Sequence, residues 1–357
     1  MEYRRAALAA LVAAAAALSA AAGAPDAPAP AQQLPAEAAR LAAHSLLIAL
    51  AAAGNRLVAV GDHGIIVYSD DRGLSWTQAA SVPVQALLTG VCFFDARRGL
   101  AVGHDEAILA TADAGEHWHL VHDAPEAQRP LLDVWCGANG AAIAVGAYSS
   151  YLTSADGGAS WSERAFAPSA APRTSGATHA GTAGTAGAAD AAAGGGYHLN
   201  RIVGSAAARL YIAAEAGHLY RSDDAGTHWR ELASPYAGSF FDVLPLGGET
   251  LLACGMRGNL YRSDDGGASW SRLETGTVAM LDGAALLPGG TVAIVGLSGV
   301  VLVSRDGGAS FSLEQQSDRS GLSAAAAAGP QSLAVVGEGG ARVLTLGAGT
   351  APAGAGH

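Results

Sequence analysis

Short apolar runs alternate with glycine-containing turns along most of the chain from residue 46 onward. Residues 251–263 show the arrangement most clearly, with an apolar run, a turn that contains Gly255 and Gly258, and a second run that ends at Ser263. Another apolar run precedes this segment at 240–246, and a run that begins with Trp270 follows it. Short apolar runs bounded by turn residues are typical of β-strands. The pattern therefore predicts units of four short antiparallel strands.

One octapeptide recurs six times between the third and fourth strands of these units. Each copy of this Asp motif reads S/T-x-D-x-G-x-(S/T/H)-(W/F). The shared aspartates are Asp71, Asp113, Asp156, Asp224, Asp265 and Asp306, at spacings of 42, 43, 68, 41 and 41 residues. The long spacing contains a Gly/Ala/Thr/Ser tract at 168–195, which has almost nothing to bury and is interpreted as an inserted linker. Four strands repeated at this period are the signature of a propeller blade.

Counting the units predicts an all-β, seven-bladed β-propeller of four-stranded antiparallel blades over residues 44–346. Six units are complete, and the seventh, at 321–346, shows three strands and no Asp motif. A strand within 36–43, in the linker 25–43, would supply the missing fourth strand and remove an exposed sheet edge. The same positions are also compatible with a short helix. Residues 347–357 are expected to be a disordered tail.

The Asp motif is interpreted as a folding device. Its glycine permits a positive φ, its carboxylate can accept backbone N–H groups, and its final aromatic residue can pack between blades. The segment 264–267 lacks the alternating carboxylates of a calcium loop. His117, His119 and His122 lie close together in sequence, but no fixed third zinc ligand is evident. We therefore expect no metal and no cofactor.

The N-terminus predicts export. Arg4 and Arg5 precede an apolar run at 6–22 and a small-residue cleavage pattern, so residues 1–24 are interpreted as a signal peptide. No later stretch is long and apolar enough to span a membrane, and the mature protein is expected to be periplasmic or secreted. The net charge of -11 argues against nucleic acid as a ligand. Cys92, Cys136 and Cys254 are interpreted as small buried apolar side chains, with at least one unpaired thiol.

Propeller geometry places the candidate binding residues on one face. The turns between the second and third strands share a face with the connections between blades, and the Asp motifs lie on the opposite face. Candidate partner-binding residues in these turns are His63, Asp105, Glu106, Tyr148, Glu215, Met256 and Arg257. A second set near the starts of the innermost strands, predicted to ring the central channel at corresponding positions, comprises Asp133, Arg201, Asp242 and Asp282. Tyr148, Met256 and Arg257 are the expected anchors.

The six motifs resemble the Asp-box pattern of bacterial neuraminidase repeats. The longer phrase at 61–76 is similar to the photosystem II stability/assembly factor family, and the resemblance covers residues 46–346. It implies a monomeric exported factor that binds a protein partner, a membrane or envelope complex, during assembly. The chain departs from that family in its acidic charge, in lacking a concentrated arginine patch, and in its insertion.

The alternative is a carbohydrate-active or sugar-binding protein of the sialidase-like superfamily. Sialidases need an arginine triad, a Tyr nucleophile paired with Glu, and an Asp acid. The usual Arg-Ile-Pro string is absent from the first blade, and the nearest string, at 200–203, lies in the fourth. Most arginines adjoin the Asp motifs on the opposite face. The sequence therefore predicts a protein that is not an enzyme.

Overall fold

The computed structural model describes residues 33–170, 196–205 and 209–347. Its contacts separate residues 1–33 from a unit formed by residues 34–357, and the following concerns that second unit. The predicted signal peptide at 1–24, residues 171–195 of the insertion and residues 348–357 of the tail lie outside the described residues. Among the described residues, no helix has the length and apolarity needed to cross a membrane.

The described strands form seven antiparallel meanders, which are the blades. Blades 1 to 3 comprise β1 (Leu47–Ala53), β2 (Arg56–Gly61), β3 (Ile66–Ser69), β4 (Thr77–Gln78); β5 (Leu88–Phe93), β6 (Gly99–Gly103), β7 (Ile108–Thr111), β8 (His119–His122); β9 (Leu131–Cys136), β10 (Ala142–Gly146), β11 (Tyr151–Ser154), β12 (Ser162–Glu163). Blades 4 and 5 comprise β13 (Leu199–Gly204), β14 (Leu210–Ala214), β15 (Leu219–Ser222), β16 (Arg230–Glu231); β17 (Phe240–Gly247), β18 (Thr250–Gly255), β19 (Leu260–Ser263), β20 (Ser271–Arg272). Blades 6 and 7 comprise β21 (Leu281–Leu286), β22 (Val292–Gly296), β23 (Val300–Ser304), β24 (Ser312–Gln315); β25 (Leu322–Gly329), β26 (Ser332–Gly337), β27 (Arg342–Thr345).

The first strands of the blades close into a ring. Each one packs against the first strand of the next blade, and β25 packs against β1. The fold is therefore a seven-bladed β-propeller, as the repeat predicted.

The core lies between neighbouring blades and not within any one of them. One apolar cluster joins Val58 and Val60 of blade 1 to Leu88 and Ala101 of blade 2, and comparable clusters occupy the other junctions. The second strands are buried along almost their whole length because each sheet is covered on both sides. This burial explains why these strands are continuous apolar runs instead of alternating ones.

The seventh blade differs from the expected closure. Its described sheet has three strands, and residues 36–43, which were considered for the fourth strand, contain no strand and run into a short 3-10 turn at Ala42–His44. The segment is fastened by its backbone, because Ala341 N donates to Ala43 O at 2.8 Å and Ala36 N donates to Val82 O at 2.9 Å. Side-chain contacts also hold it, since Gln78 Nε2 donates to Glu37 O at 2.9 Å. Isolated backbone contacts thus replace the predicted strand pairing.

The interpretation of all three cysteines as apolar side chains is wrong for two of them. Cys92 and Cys136 form a disulfide, with their Cα atoms 5.6 Å apart, whereas Cys254 is a buried free thiol. The first two lie on β5 and β9, the innermost strands of consecutive blades, which pack side by side. The disulfide therefore joins blade 2 covalently to blade 3.

Candidate partner-binding face

The connections between blades and the turns between second and third strands share one side of the ring, called here the turn face. Gly64 N donates to Ala86 O at 3.0 Å, and Ala124 N donates to Asp105 O at 2.8 Å. On the opposite side, Gly157 N in an Asp motif donates to Gly140 O, in the turn between the first two strands, at 2.8 Å. The structure thus separates the turns from the Asp motifs as the topology requires.

Each Asp motif forms a closed set of hydrogen bonds within its own turn. In the sixth copy, Ser304 Oγ donates to Asp306 Oδ1 at 2.7 Å and accepts from Gly308 N at 2.8 Å. Ser310 then donates through its N to Oδ1 at 3.0 Å and through its Oγ to Oδ2 at 2.6 Å. Although burial opposes it, these donors lower the pKa of Asp306 to about 2. The carboxylate is therefore ionised and already engaged.

Histidine takes the place of the hydroxyl residue in two copies of the motif. The Nδ1 atom of His117 lies 2.8 Å from Asp113 Oδ2, and that of His228 lies 2.7 Å from Asp224 Oδ2. Each imidazole thus completes its own turn. Within the described ranges, no group of three or more His, Cys, Asp or Glu side chains could hold a metal ion.

The turns of the turn face are 3-10 turns with a left-handed middle residue. His63, Asp105, Tyr148 and Arg257 occupy this position, with φ between 53° and 61°. Tyr148 in the third blade is 54% exposed, Met256 in the fifth blade is 41% exposed, and Arg257 beside Met256 is also exposed. The geometry therefore presents the expected anchors to solvent. Glu215 is only partly free, because its Oε2 accepts from His198 N at 3.0 Å.

Glu106 is not available on the surface, contrary to the prediction. Its side chain is 4% exposed, with Oε1 at 2.9 Å from Arg129 Nη2 and Oε2 at 3.5 Å from His122 Nε2. The connection that follows blade 2 folds over it in a 3-10 turn at Pro125–Ala127. Glu106 therefore fixes the connection that follows blade 2. From this turn, the exposed residues next to Glu106 belong to the surface of the turn face.

The residues predicted to ring the channel converge on Arg201. Its Nη1 lies 3.5 Å from Asp133 Oδ1, and its Nε lies 3.5 Å from Asp242 Oδ1. Both carboxylates are buried and also accept backbone N–H groups: Ile202 N donates to Asp133 at 2.9 Å, and Ala284 N donates to Asp242 at 2.8 Å. A cavity of about 240 Å³, lined by the first strands of all seven blades, opens beside this cluster.

Asp282 does not occupy the position that was predicted for it. Every first strand is irregular after its first residues, where one residue has no partner on the second strand. Asp133, Arg201 and Asp242 follow this bulge, whereas Asp282 is the bulged residue itself and Gly283 occupies the equivalent position. Asp282 therefore corresponds to Phe241 of blade 5. Alignment of the buried first residues, Phe240 and Leu281, would have revealed the offset.

Burial raises the pKa of the two carboxyl groups that line the channel. It raises the pKa of Asp282 to about 7, an effect that the charge of Asp242 increases and that of Arg201 opposes. Burial likewise raises the pKa of Asp242 to about 6 against the attraction of Arg201. The neighbouring Asp133 carboxylate raises the pKa of Arg201, so its guanidinium stays charged. The channel thus holds one permanent cation among three carboxyl groups.

Asp282→Asn is expected to stabilise the protein at alkaline pH. The folded pKa lies above the unfolded value, so the contribution of Asp282 to stability is complete below about pH 4 and is lost as the pH rises through 7. Asn stays neutral, and the variant should exceed the wild type by about 1–2 kcal/mol in free energy of unfolding at pH 8 and match it at pH 4. Urea titrations at both values, with exposed Asp123→Asn as control, measure this difference. An equal difference at both values would contradict it.

An apolar shoulder on the turn face adds Val278 to the turn residues Met256 and Leu297. Val278 is 85% exposed and Leu297 is 38% exposed, and both belong to the turn face next to Met256. Thr275 Oγ1 donates to Gly258 O at 2.9 Å, and Leu297 N donates to Met280 O at 2.9 Å, which fixes the 274–280 connection between these two turns. An isolated valine between turn residues gives no periodic signal, so only the folded arrangement reveals the shoulder.

The ring and its channel define the class of the molecule as a seven-bladed β-propeller whose turn face lies opposite its Asp motifs. No protein-family model matches the sequence. No curated protein matches it either.

Solved structures resemble the chain over most of its length. YCF48 bound to a D1 peptide is 16% identical with a TM-score of 0.64, covering 88% of this chain and 95% of that one. YCF48 from Cyanidioschyzon merolae is 15% identical with a TM-score of 0.63, covering 85% and 96%. The GH74 enzyme of Niastella koreensis is 13% identical with a TM-score of 0.61, covering 84% of this chain and 52% of that one. These likenesses concern the fold.

Proposed function

We propose that this protein is a non-catalytic, exported propeller that binds a protein partner through its turn face and acts as an assembly or stability factor for a membrane complex. The observation that carries the proposal is the division between the two faces. The carboxylates of the Asp motifs are engaged within their own turns, whereas the turn face presents Tyr148, Met256 and Arg257 around an open channel. Aromatic and arginine side chains are frequent anchors of protein interfaces.

A solved propeller of similar fold supports a protein ligand. YCF48 has been determined with a D1 peptide bound, which demonstrates peptide binding by that protein. The disulfide Cys92–Cys136 supports export, because disulfides persist in oxidising compartments and are rare in the cytosol. Together with the composition of residues 1–24, it favours a site of action outside the cytoplasm.

Recovery of a partner from an envelope extract of the native host tests the proposal. We expect the double variant Tyr148→Ala/Arg257→Ala to recover at least about fivefold less of the same partner than the wild type, because interface anchors carry most of the binding energy. Leu74→Ala is the matched control, since Leu74 is 78% exposed in an Asp motif on the opposite face. Equal recovery by the double variant and the wild type would count against the turn face.

A carbohydrate-active protein is the second candidate. The observation in its favour is the raised pKa of both Asp242 and Asp282, because glycosidases keep one carboxyl group protonated as an acid. Assays with fluorogenic sialosides and other glycosides separate the two candidates. Turnover that Asp242→Asn abolishes would establish the second candidate and overturn the first.

A further inference from the structure

The channel cavity carries unbalanced negative charge. Its lining includes Arg201, Asp242 and Asp282, and Asp133 lies directly behind the guanidinium. The other lining residues in the described part of the chain are uncharged. Three carboxyl groups thus face one guanidinium, and the Arg201 charge is shared between Asp133 and Asp242 at 3.5 Å each.

Asp282 is the carboxyl group without a partner. Asp133 and Asp242 accept backbone N–H groups, whereas the half-buried Asp282 makes no hydrogen bond or ion pair with any residue that the structure describes. A carboxylate that loses part of its hydration without gaining a partner is less stable than one in water. Its position at the bulge of β21 directs it to the cavity, on whose lining it lies.

The walls around Asp282 suit a long side chain with an apolar stem. Phe241 occupies the equivalent bulge in the neighbouring blade 5, and Leu132 and Ile48 occupy it in two others, whereas the remaining three blades place the uncharged polar residues Thr89, Asn200 and Ser323 there. An aromatic ring attracts a cation over its face, and the methylene stems of Lys and Arg pack on apolar surface while their charged ends seek anions. A volume of about 240 Å³ is smaller than the 300–1,000 Å³ typical of pockets for drug-sized ligands.

We infer that the channel receives one Lys or Arg side chain from the protein partner, with its cationic end at Asp282 and its stem against Phe241, Leu132 and Ile48. The inference rests on the proposed function and specifies which side chain the partner inserts into the channel. The apolar shoulder formed by Met256, Val278 and Leu297 lies on the same face and would contact apolar residues beside that cation. The partner segment is therefore basic at one position and apolar next to it.

The affinity of the channel for a cation should depend on pH. The charged or titratable groups on elements packed against β21 are Asp242 on β17, the buried thiol of Cys254 on β18 and the exposed Arg257. Arg201 acts on Asp282 from β13, two blades away. Because burial raises the pKa of Asp282 to about 7, the carboxyl group must lose its proton to bind a cation. Binding should strengthen as the pH rises from 6 to 8.

Small cations that mimic the two side chains test the inference without the partner. Ligand-observed NMR titrations of the purified mature protein would use n-butylammonium and n-propylguanidinium, with n-butanol as the uncharged control. We expect the cations to bind with millimolar Kd, n-butanol to bind at least fivefold more weakly, and Asp282→Asn to weaken the cations at least fivefold. Asp123→Asn removes the same charge from an exposed site and should leave the affinity unchanged. The wild-type affinity should rise several-fold between pH 6 and 8 and rise less in Asp282→Asn, where Asp242 is the lining carboxyl group that still loses its proton near pH 6.

Three results would overturn the inference. They are equal binding of n-butanol and n-butylammonium, full affinity in Asp282→Asn, and displacement of n-butylammonium by an equal or lower concentration of Ca²⁺, which would indicate a metal site. The stability of Asp282→Asn at pH 8 verifies that the variant is folded. If the small cations fail to bind but recovery of the partner still depends on Tyr148 and Arg257, the inference is wrong and the proposed function stands. Cation binding without any recovered partner would defeat the proposed function alone.

Discussion

Removal of the Cys92–Cys136 disulfide is expected to lower the free energy of unfolding by about 2–4 kcal/mol, because the cross-link restricts the unfolded chain over a long loop. The two cysteines are 44 residues apart and join the innermost strands of blades 2 and 3. The double variant Cys92→Ser/Cys136→Ser should therefore unfold at a lower urea concentration than the oxidised wild type. Equilibrium unfolding with and without reductant measures the difference.

The third cysteine provides the control. Cys254 is a buried free thiol on the second strand of blade 5, where burial raises its pKa well above the usual value. Reductant should still lower the stability of Cys254→Ala, because that variant keeps the disulfide. Reductant should have no effect on the stability of Cys92→Ser/Cys136→Ser. Identical unfolding midpoints for the oxidised and reduced wild type would show that the cross-link contributes nothing to stability.

Gly258→Ala is expected to destabilise the protein by about 3 kcal/mol or more, because a side chain there combines backbone strain with a clash. Gly258 has a φ of 68°, and a Cβ atom would lie 2.0 Å from the carbonyl oxygen of Thr277. That carbonyl belongs to the connection that runs over the turn, so relief of the clash would displace the apolar shoulder as well. Urea unfolding measures the loss of stability.

The equivalent position in blade 3 is the matched control. Ser149 has a φ of 60° and already carries a side chain, whose Oγ donates to Tyr197 O at 3.3 Å. Ser149→Ala should change the free energy of unfolding by less than about 1 kcal/mol, because it removes one weak hydrogen bond of 3.3 Å. Similar losses for the two variants would mean that close approach of the connection does not set the need for glycine.

Positions that depend on the repeat could be predicted from the sequence, whereas positions that depend on irregular backbone could not. The period of about 42 residues identified the blades and the face opposite the Asp motifs. Asp282 was assigned to the wrong position because a bulge shifts the register by one residue. Glu106 looked like a surface turn residue, since the path of the connection that buries it is not encoded in a short pattern.

The spacing of the two disulfide-bonded cysteines indicates their pairing. A separation of 44 residues is close to one repeat, which places Cys92 and Cys136 on matching strands of consecutive blades. Cys254 lies on a second strand and has no such counterpart. Comparison of the spacing between the cysteines with the length of the repeat, instead of with metal motifs, predicts this pairing.

The described sheet of the seventh blade ends at its third strand, β27, whereas a fourth strand covers the third in the other six blades. Blades 2 and 3 are tied covalently, whereas blade 7 is fastened to the segment before blade 1 by a few hydrogen bonds, including that from Ala341 N to Ala43 O. One edge of β27 pairs with β26, and no described strand pairs with the other. An unpaired edge can accept a strand from another chain. Hydrogen exchange should therefore be faster in β27 than in the third strands of the other blades, and exchange of strands between molecules would begin at the outer edge of β27.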